Sequence, residues 1–140
     1  MEGNKEAYEI FDAIDANDYN RIKTILAQNK NLLNVITPFG TWLHVACMEG
    51  KYEIVKLLVQ LGLDINIDAG TFNAGAINRA ASEGYYDIVQ YLLSCGAKMD
   101  IDEPDHNPLF AAIYGGHKDV VKLLLDSGID ASIRYTGDYM

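Results

Sequence analysis

Three copies of one pattern occupy most of the chain, and a weaker copy precedes them. In each clear copy a short apolar segment is followed by a glycine, a second apolar segment and another glycine. The middle glycines are Gly50, Gly84 and Gly116, so that 34 residues separate the first two and 32 separate the last two. A period of about 33 residues predicts a stacked-repeat solenoid, in which each unit buries its apolar face only against its neighbours.

The segments on either side of these glycines have the apolar spacing of helices. A broad apolar stripe after Gly50, for example, consists of Ile54, Val55, Leu57, Leu58 and Leu61. A glycine between two helices can adopt the left-handed conformation that reverses the chain, and Asn17 stands in the same place in the weak first copy. The sequence therefore predicts four helix pairs, at residues 7–16 with 18–28, 42–49 with 52–60, 76–83 with 86–94, and 108–115 with 118–126.

The clearest copy resembles an ankyrin repeat. Residues 41–46 read Thr-Trp-Leu-His-Val-Ala and residues 62–66 read Gly-Leu-Asp-Ile-Asn, close to the family's Thr-Pro-Leu-His-x-Ala and Gly-Ala-Asp-Val-Asn. The third unit is the most divergent, with Gly75, Ala76 and Asn78 in place of Thr, Pro and His. The resemblance implies an all-α repeat solenoid of stacked helix-turn-helix units with short β-hairpin fingers. One domain is expected over residues 1–140, with units at 6–35, 36–68, 69–101 and 102–134 and a partial finger at 135–140.

Several residues acquire structural roles from this pattern. By resemblance, His44 is a structural histidine whose ring hydrogen-bonds the hairpin backbone. Small residues recur at one place in each first helix, where only a short side chain lets adjacent helices approach closely; they are Ala13, Ala46, Ala80 and Ala112. Cys47 lies beside one of these alanines and is expected to be buried. The two cysteines, Cys47 and Cys95, match neither a zinc spacing nor a disulfide framework.

Charge and hydropathy exclude several classes of function. The chain has 20 acidic and 11 basic residues, a net charge of −9, and the acidity is spread over all four units. Such a body repels phosphate backbones, so no nucleic-acid partner is expected. No apolar run is as long as a membrane span, and the first six residues are too polar to begin a secretory signal, so we expect a cytoplasmic protein without a membrane partner. Two explanations of the acidity stay open: attraction of a basic partner, or solubility alone.

Residues with catalytic or metal-binding chemistry are scattered. His44, His106 and His117 occupy three different repeat positions, and no carboxylate or thiol cluster completes a ligand set around them. The acidic segment 100–105 lacks the alternating ligands and the final glutamate of a calcium loop. We therefore expect no catalytic residue, no metal and no cofactor, and a protein that is not an enzyme.

The resemblance places a binding surface on the fingertips and on the exposed face of the first helix of each pair. The corresponding residues, many of them aromatic or acidic, are Phe39, Trp42, Met48, Glu49, Phe72, Ser82, Glu83, Asp105, His106, Tyr114 and Tyr135. Trp42 replaces the proline that the family prefers at the start of the helix. Two interpretations of it stay open: packing between fingers, or anchoring a partner, since binding energy concentrates in buried aromatic residues.

The predicted function is a monomeric, non-enzymatic module that binds a protein partner through this concave surface. Small ankyrin-like proteins resemble proteins that mask a partner, including bacterial immunity proteins that neutralise a toxin, and an acidic groove suits a basic target. The alternative is a scaffold or assembly subunit, or a fragment of a longer ankyrin array. The partial finger at the C-terminal end favours this alternative.

Overall fold

The computed structural model describes residues 2–135, with side chains from residue 5 onward. Over this range the chain forms eight α-helices, two short 3-10 helices and two isolated β-bridges, without a β-sheet. The 3-10 helices are Lys30–Asn34 and Pro104–His106. The α-helices are α1 (Glu2–Asp15), α2 (Tyr19–Gln28), α3 (Trp42–Glu49), α4 (Tyr52–Gln60), α5 (Ala76–Glu83), α6 (Tyr86–Ser94), α7 (Pro108–Tyr114) and α8 (Lys118–Asp126).

The helices stack in two layers. Each odd-numbered helix pairs with the even-numbered helix that follows it, and the inner helices α1, α3, α5 and α7 contact one another in chain order. The outer helices α2, α4, α6 and α8 do the same. The predicted all-α repeat solenoid is therefore confirmed, and the predicted helix bounds agree with the observed ones to within one residue, except that α1 begins at Glu2 instead of residue 7.

Left-handed residues make the turns between inner and outer helices, as the spacing predicts. Gly84 ends α5 with φ 82°, and a Cβ atom there would collide with the ring of His117. Asn17 takes the same role after α1 with φ 58°. Asparagine tolerates this conformation better than other residues with a side chain, which explains how the first repeat can lack the glycine.

The core lies between the two layers. The four alanines of the inner helices, Ala13, Ala46, Ala80 and Ala112, are all completely buried, as predicted. Larger aliphatic residues of the outer helices, such as Ile54 and Leu92, cover them. Cys47 is buried as expected, and burial raises the pKa of its thiol, so the thiolate form is disfavoured. Cys95 is exposed.

Three connecting segments, here called the first finger (29–41), second finger (61–75) and third finger (95–107), join one helix pair to the next. The first contains the bridge between Thr37 and Gly40, and the second contains the bridge between Ala69 and Ala74. Among the described residues the third has no bridge: Pro104 begins a 3-10 helix there, and the Asn107 N–H donates to the Pro104 carbonyl oxygen at 3.3 Å. The prediction of a hairpin in every finger is therefore wrong for the third.

Polar contacts tie each repeat to the next. The second and third fingers are joined by the bond from the Lys98 N–H to Asn66 Oδ1, at 2.9 Å. His117 Nε2 lies 2.9 Å from the carbonyl oxygen of Ser82, between the third and fourth repeats. Apart from Tyr135, the predicted partial finger at 135–140 lies outside the described residues. None of the helices within residues 2–135 has the length and apolar character that crossing a membrane requires.

Candidate functional site

The fingers and inner helices enclose a groove with two adjoining cavities. The first has a volume of about 130 Å³ and lies between the first and second fingers; Phe39, Met48, Asn78 and Arg79 form part of its wall. The second has a volume of about 410 Å³, with walls that include Ser82, Asp105, Phe110 and Tyr114. Phe72 contributes to both. We call this continuous surface, made by the walls of the two cavities, the groove.

Two phenyl rings stand at the tips of successive fingers. Phe39 and Phe72 are each 50% exposed. The turn that carries Phe39 is closed by Thr37, whose Oγ1 accepts from the Phe39 N–H at 3.1 Å and donates to the Gly40 carbonyl at 3.0 Å. In the second finger Asn73 adopts φ 52°, a left-handed conformation that tightens the turn next to Phe72. Local turn chemistry therefore places both rings at fingertips, where the Phe39 ring also packs against the Phe11 ring, with 6.0 Å between the centroids.

A row of equivalent residues crosses the groove at the ends of the inner helices. Met48, Ser82 and Tyr114 occupy the same repeat position in α3, α5 and α7, and all three line a cavity of the groove. Tyr114 is 97% exposed, whereas Met48 and Ser82 are half-buried. The predicted residues Glu49 and Glu83 follow directly after two of them.

Trp42 is a correction to the predicted surface. Its side chain is 1% exposed, and its Nε1–H donates to the carbonyl oxygen of Leu32 at 2.8 Å. The ring therefore seals the junction between the first and second repeats, where no partner can reach it. The interpretation of Trp42 as an interface anchor is therefore wrong. The structural interpretation is supported, but the side chain bonds the 3-10 helix Lys30–Asn34 and not a fingertip.

The predicted residues Asp105 and His106 are neighbours in sequence, but they do not share a cavity of the groove. Asp105 is exposed and lines the larger cavity. His106 lines neither cavity of the groove; its Nδ1 lies 3.4 Å from Asp100 and its Nε2 lies 3.6 Å from Glu103. Within residues 5–135, no three His, Cys, Asp or Glu side chains are grouped so that they could hold a metal ion.

Tyr135 packs onto the last inner helix. Its hydroxyl donates to the carbonyl oxygen of Ile101 at 2.6 Å and accepts from Asn107 Nδ2 at 3.1 Å. Its ring meets the Phe110 ring edge to face, with 5.2 Å between the centroids. These contacts make Tyr135 part of the third finger's support, and its role in partner binding stays a prediction.

His44 has the structural role that the resemblance implies. Its Nε2 lies 2.7 Å from the carbonyl oxygen of Ala74, and its Nδ1 accepts from the Thr41 N–H at 3.2 Å. Burial lowers the pKa of His44, although the bond to Ala74 and the charge of Asp68 oppose this in part. The ring is therefore held in its neutral form, and it connects two successive repeats.

Asn78 and Arg79 line the groove, although they were not among the predicted site residues. Asn78 occupies the repeat position of His44, and Arg79 follows it on α5. Asn78 is only 5% exposed, yet among the described residues its Nδ2 has no hydrogen-bond partner, and neither has the buried Nε of Arg79. Arg79 Nη2 lies 3.2 Å from Glu83 Oε1. The sequence signal for this site was the asparagine in place of histidine. In the sequence alone, that replacement indicates no more than a divergent repeat.

Comparison with known families agrees with this architecture. The family model of ankyrin repeats, in three copies, matches residues 10–105 and, in an overlapping match, residues 72–135. No curated protein sequence matches the chain significantly. The two matches together span most of the chain, and they cover the four helix pairs, the left-handed turns and the joint at His44. The chain therefore belongs to the ankyrin repeat family.

Proposed function

We propose that this chain binds a protein partner along the groove. Ankyrin repeats are generally protein-protein interaction modules. The observation that carries the proposal is the line of exposed aromatic rings, Phe39, Phe72 and Tyr114, beside the two cavities. Large aromatic side chains left in water at the edge of a concave surface are typical anchors of protein interfaces, because they bury much area at little entropic cost.

The proposed partner is basic. Glu49, Glu83 and Asp105 lie at or beside the groove, and the whole chain has a net charge of −9. Such a field attracts a cationic protein and raises the rate of association more than the final affinity. A small acidic protein that covers a cationic surface suits an inhibitor, such as a bacterial immunity protein that masks a basic toxin. In this proposal the chain is a cytoplasmic monomer that acts stoichiometrically, without catalysis.

A second candidate is a scaffold or assembly subunit, and one residue favours it. Ile113 on α7 is 56% exposed, whereas the equivalent residues Cys47 and Ala81 are completely buried by the next inner helix. An isoleucine at this position offers an apolar surface to which another repeat or a second copy of the chain could dock. Sedimentation velocity of the wild type and of Ile113→Lys tests this candidate, which requires self-association that the lysine abolishes.

The proposed function is tested by pull-down from the native source with mass spectrometry, using four forms of the protein. These are the wild type, Phe72→Ala, Tyr114→Ala and the control Tyr8→Ala, which removes an exposed aromatic ring that lines neither cavity. We expect a basic protein that is retained by the wild type and the control and depleted by both groove variants. Retention of every captured protein by the groove variants would place the interface elsewhere and refute the proposal.

A further inference from the structure

Two residues that line the smaller cavity have buried side-chain donors for which the described part of the chain supplies no acceptor. Among residues 5–135, Asn78 Nδ2 and Arg79 Nε are the buried side-chain nitrogen or oxygen atoms that lack a partner. A buried donor without an acceptor lowers stability, so such groups are rare in folded proteins. Both belong to neighbouring residues that line the same cavity, and Asn78 lines the larger cavity as well.

The repeat pattern explains why the fold leaves Asn78 Nδ2 unsatisfied. In the preceding repeat the same position holds His44, whose long imidazole reaches the Ala74 carbonyl oxygen in the next finger. An asparagine side chain is shorter, and in the next repeat its Nδ2 meets no such carbonyl. In place of the histidine contact between repeats, the asparagine leaves a buried donor unpaired.

The position of Arg79 adds a second donor without adding net charge. One of its terminal nitrogens lies 3.2 Å from a carboxylate oxygen of Glu83, on the same helix, and its Nε remains unpaired. The ion pair neutralises the guanidinium, and the chain as a whole is strongly acidic. A neutral acceptor therefore fits this place better than a carboxylate, which would meet Glu83 as well as the overall negative field.

The size and walls of the cavity limit what can bind there. Its volume of about 130 Å³ is below the range of roughly 300–1,000 Å³ that is usual for small-molecule sites. The rings of Phe39 and Phe72 flank it, and Ala69 and Ala74 complete an apolar wall. The cavity thus has room for one side chain of a larger partner, next to a carbonyl group.

We propose that Asn78 and Arg79 form a carbonyl-binding site, in which the Asn78 Nδ2 and Arg79 Nε donors bind a backbone carbonyl oxygen of an extended segment of a protein partner. An apolar side chain next to that carbonyl lies between Phe39 and Phe72. The inference rests on the proposed function and specifies what part of the partner enters the groove. It assigns to this chain's divergent third repeat a binding role.

The site is tested by NMR titration of the ¹⁵N-labelled chain with two probes. N-acetyl-leucine methylamide is neutral and has two carbonyl groups, whereas isopentane is also neutral and has the same branched alkyl group without an acceptor. The side-chain N–H resonances of Asn78 and Arg79 report binding directly. We expect saturable shifts of both resonances with the first probe only. Absence of a saturable shift up to the solubility limit of that probe, or equal shifts with both probes, would overturn the proposal.

Two variants remove one donor each while keeping the surroundings. Asn78→Leu preserves the approximate shape, and Arg79→Lys keeps the positive charge beside Glu83 without an Nε–H group. We expect each to weaken binding of N-acetyl-leucine methylamide about tenfold. Arg21→Lys, an exposed position on α2, is the matched control and should leave the affinity unchanged. Unchanged affinity in both groove variants contradicts the site.

Thermal stability distinguishes a binding role from a structural one. If Asn78 Nδ2 is unsatisfied in the free chain, Asn78→Leu removes an unpaired buried donor and leaves the melting temperature unchanged or higher. A lower melting temperature together with unchanged probe affinity would mean that Asn78 supports the fold and nothing else.

Retention of the native partner by four variants distinguishes failure of this site from failure of the proposed function. Loss of the partner in Phe72→Ala and Tyr114→Ala, with full retention in Asn78→Leu and Arg79→Lys, would refute the carbonyl-binding site and leave groove binding standing. Retention of the partner in all four variants would refute both proposals.

Discussion

His44 and Ala74 form a hydrogen bond of 2.7 Å across thirty residues of sequence, from the imidazole Nε2 in one repeat to a carbonyl oxygen in the next finger. A carbonyl can only accept, so Nε2 carries the proton, and Nδ1 is free to accept from the Thr41 N–H. The ring is thus fixed in one neutral tautomer. This joint connects the second and third repeats and makes stability depend on the protonation state of one side chain.

The first prediction concerns pH. Burial lowers the pKa of His44 in the folded chain, whereas in the unfolded chain the imidazole takes up a proton near its ordinary value of 6.5. As pH falls below about 6.5, the unfolded state binds more protons than the folded state, so the free energy of unfolding decreases. We expect the wild type to melt at a lower temperature at about pH 5.5 than at about pH 7.5.

His44→Asn isolates the contribution of this side chain. It should lower stability at neutral pH by about 1–3 kcal/mol, since the Ala74 carbonyl loses its donor. It should also show a shallower decrease of stability between the two pH values. Parallel pH profiles for the wild type and the variant would show that other groups cause the dependence.

The second prediction concerns the alanine position of the inner helices. Ala80 is completely buried between neighbouring helices, so Ala80→Leu should overpack the stack and cost about 1–3 kcal/mol. Thr71→Ala, at an exposed fingertip, is the control and should change stability by less than about 0.5 kcal/mol. Urea denaturation followed by circular dichroism measures both. Equal effects of the two substitutions would mean that the α5 contacts are misassigned.

The third prediction concerns Trp42. Trp42→Phe keeps most of the buried ring but removes the Nε1–H group that donates to the Leu32 carbonyl. The unfolding free energy should fall by about 1–3 kcal/mol because a buried acceptor loses its partner. Phe39→Leu, at an exposed ring, should stay within about 0.5 kcal/mol. Affinity for the partner should not change in Trp42→Phe, and a selective loss of affinity without loss of stability would restore Trp42 to the interface.

The fourth prediction concerns electrostatic attraction. Glu49→Gln removes a charge beside the groove and should slow association with a basic partner several-fold at low salt, with little change in dissociation. The difference from the wild type should shrink as salt screens the field. Glu53→Gln removes the same charge from the outer helix α4 and is the control. Surface plasmon resonance at low and high salt measures both rates; identical association rates for the wild type and Glu49→Gln at low salt would argue against a basic partner.

Helix pairs and turns could be predicted from sequence because their causes are local. The apolar stripe from Ile54 to Leu61 and the left-handed residues Asn17, Gly50 and Gly84 each act within a few residues of their own position. The role of His44 was predicted for a different reason: its partner lies thirty residues away, and the resemblance to ankyrin repeats implied that contact.

Features that depart from the repeat pattern could not be predicted in the same way. The burial of Trp42 depends on the 3-10 helix Lys30–Asn34, which lies outside the repeat pattern. The third finger departs from a hairpin because Pro104 starts a 3-10 helix, and His106 then turns toward Asp100 and Glu103. The unpaired donor of Asn78 is invisible in sequence, since it arises from what a shorter side chain fails to reach.

Phe72 belongs to the walls of both cavities, and this shared position makes their occupancies interdependent. A partner residue that enters one cavity restricts the rotation of the exposed ring, so the entropy of ordering that ring is no longer lost when the second cavity fills. Occupancy of one cavity should therefore favour occupancy of the other. A partner segment that fills both cavities should bind with a higher affinity than the separate affinities for each cavity predict. In the proposed binding mode, the fingertip of the most divergent repeat therefore couples the two cavities through one side chain.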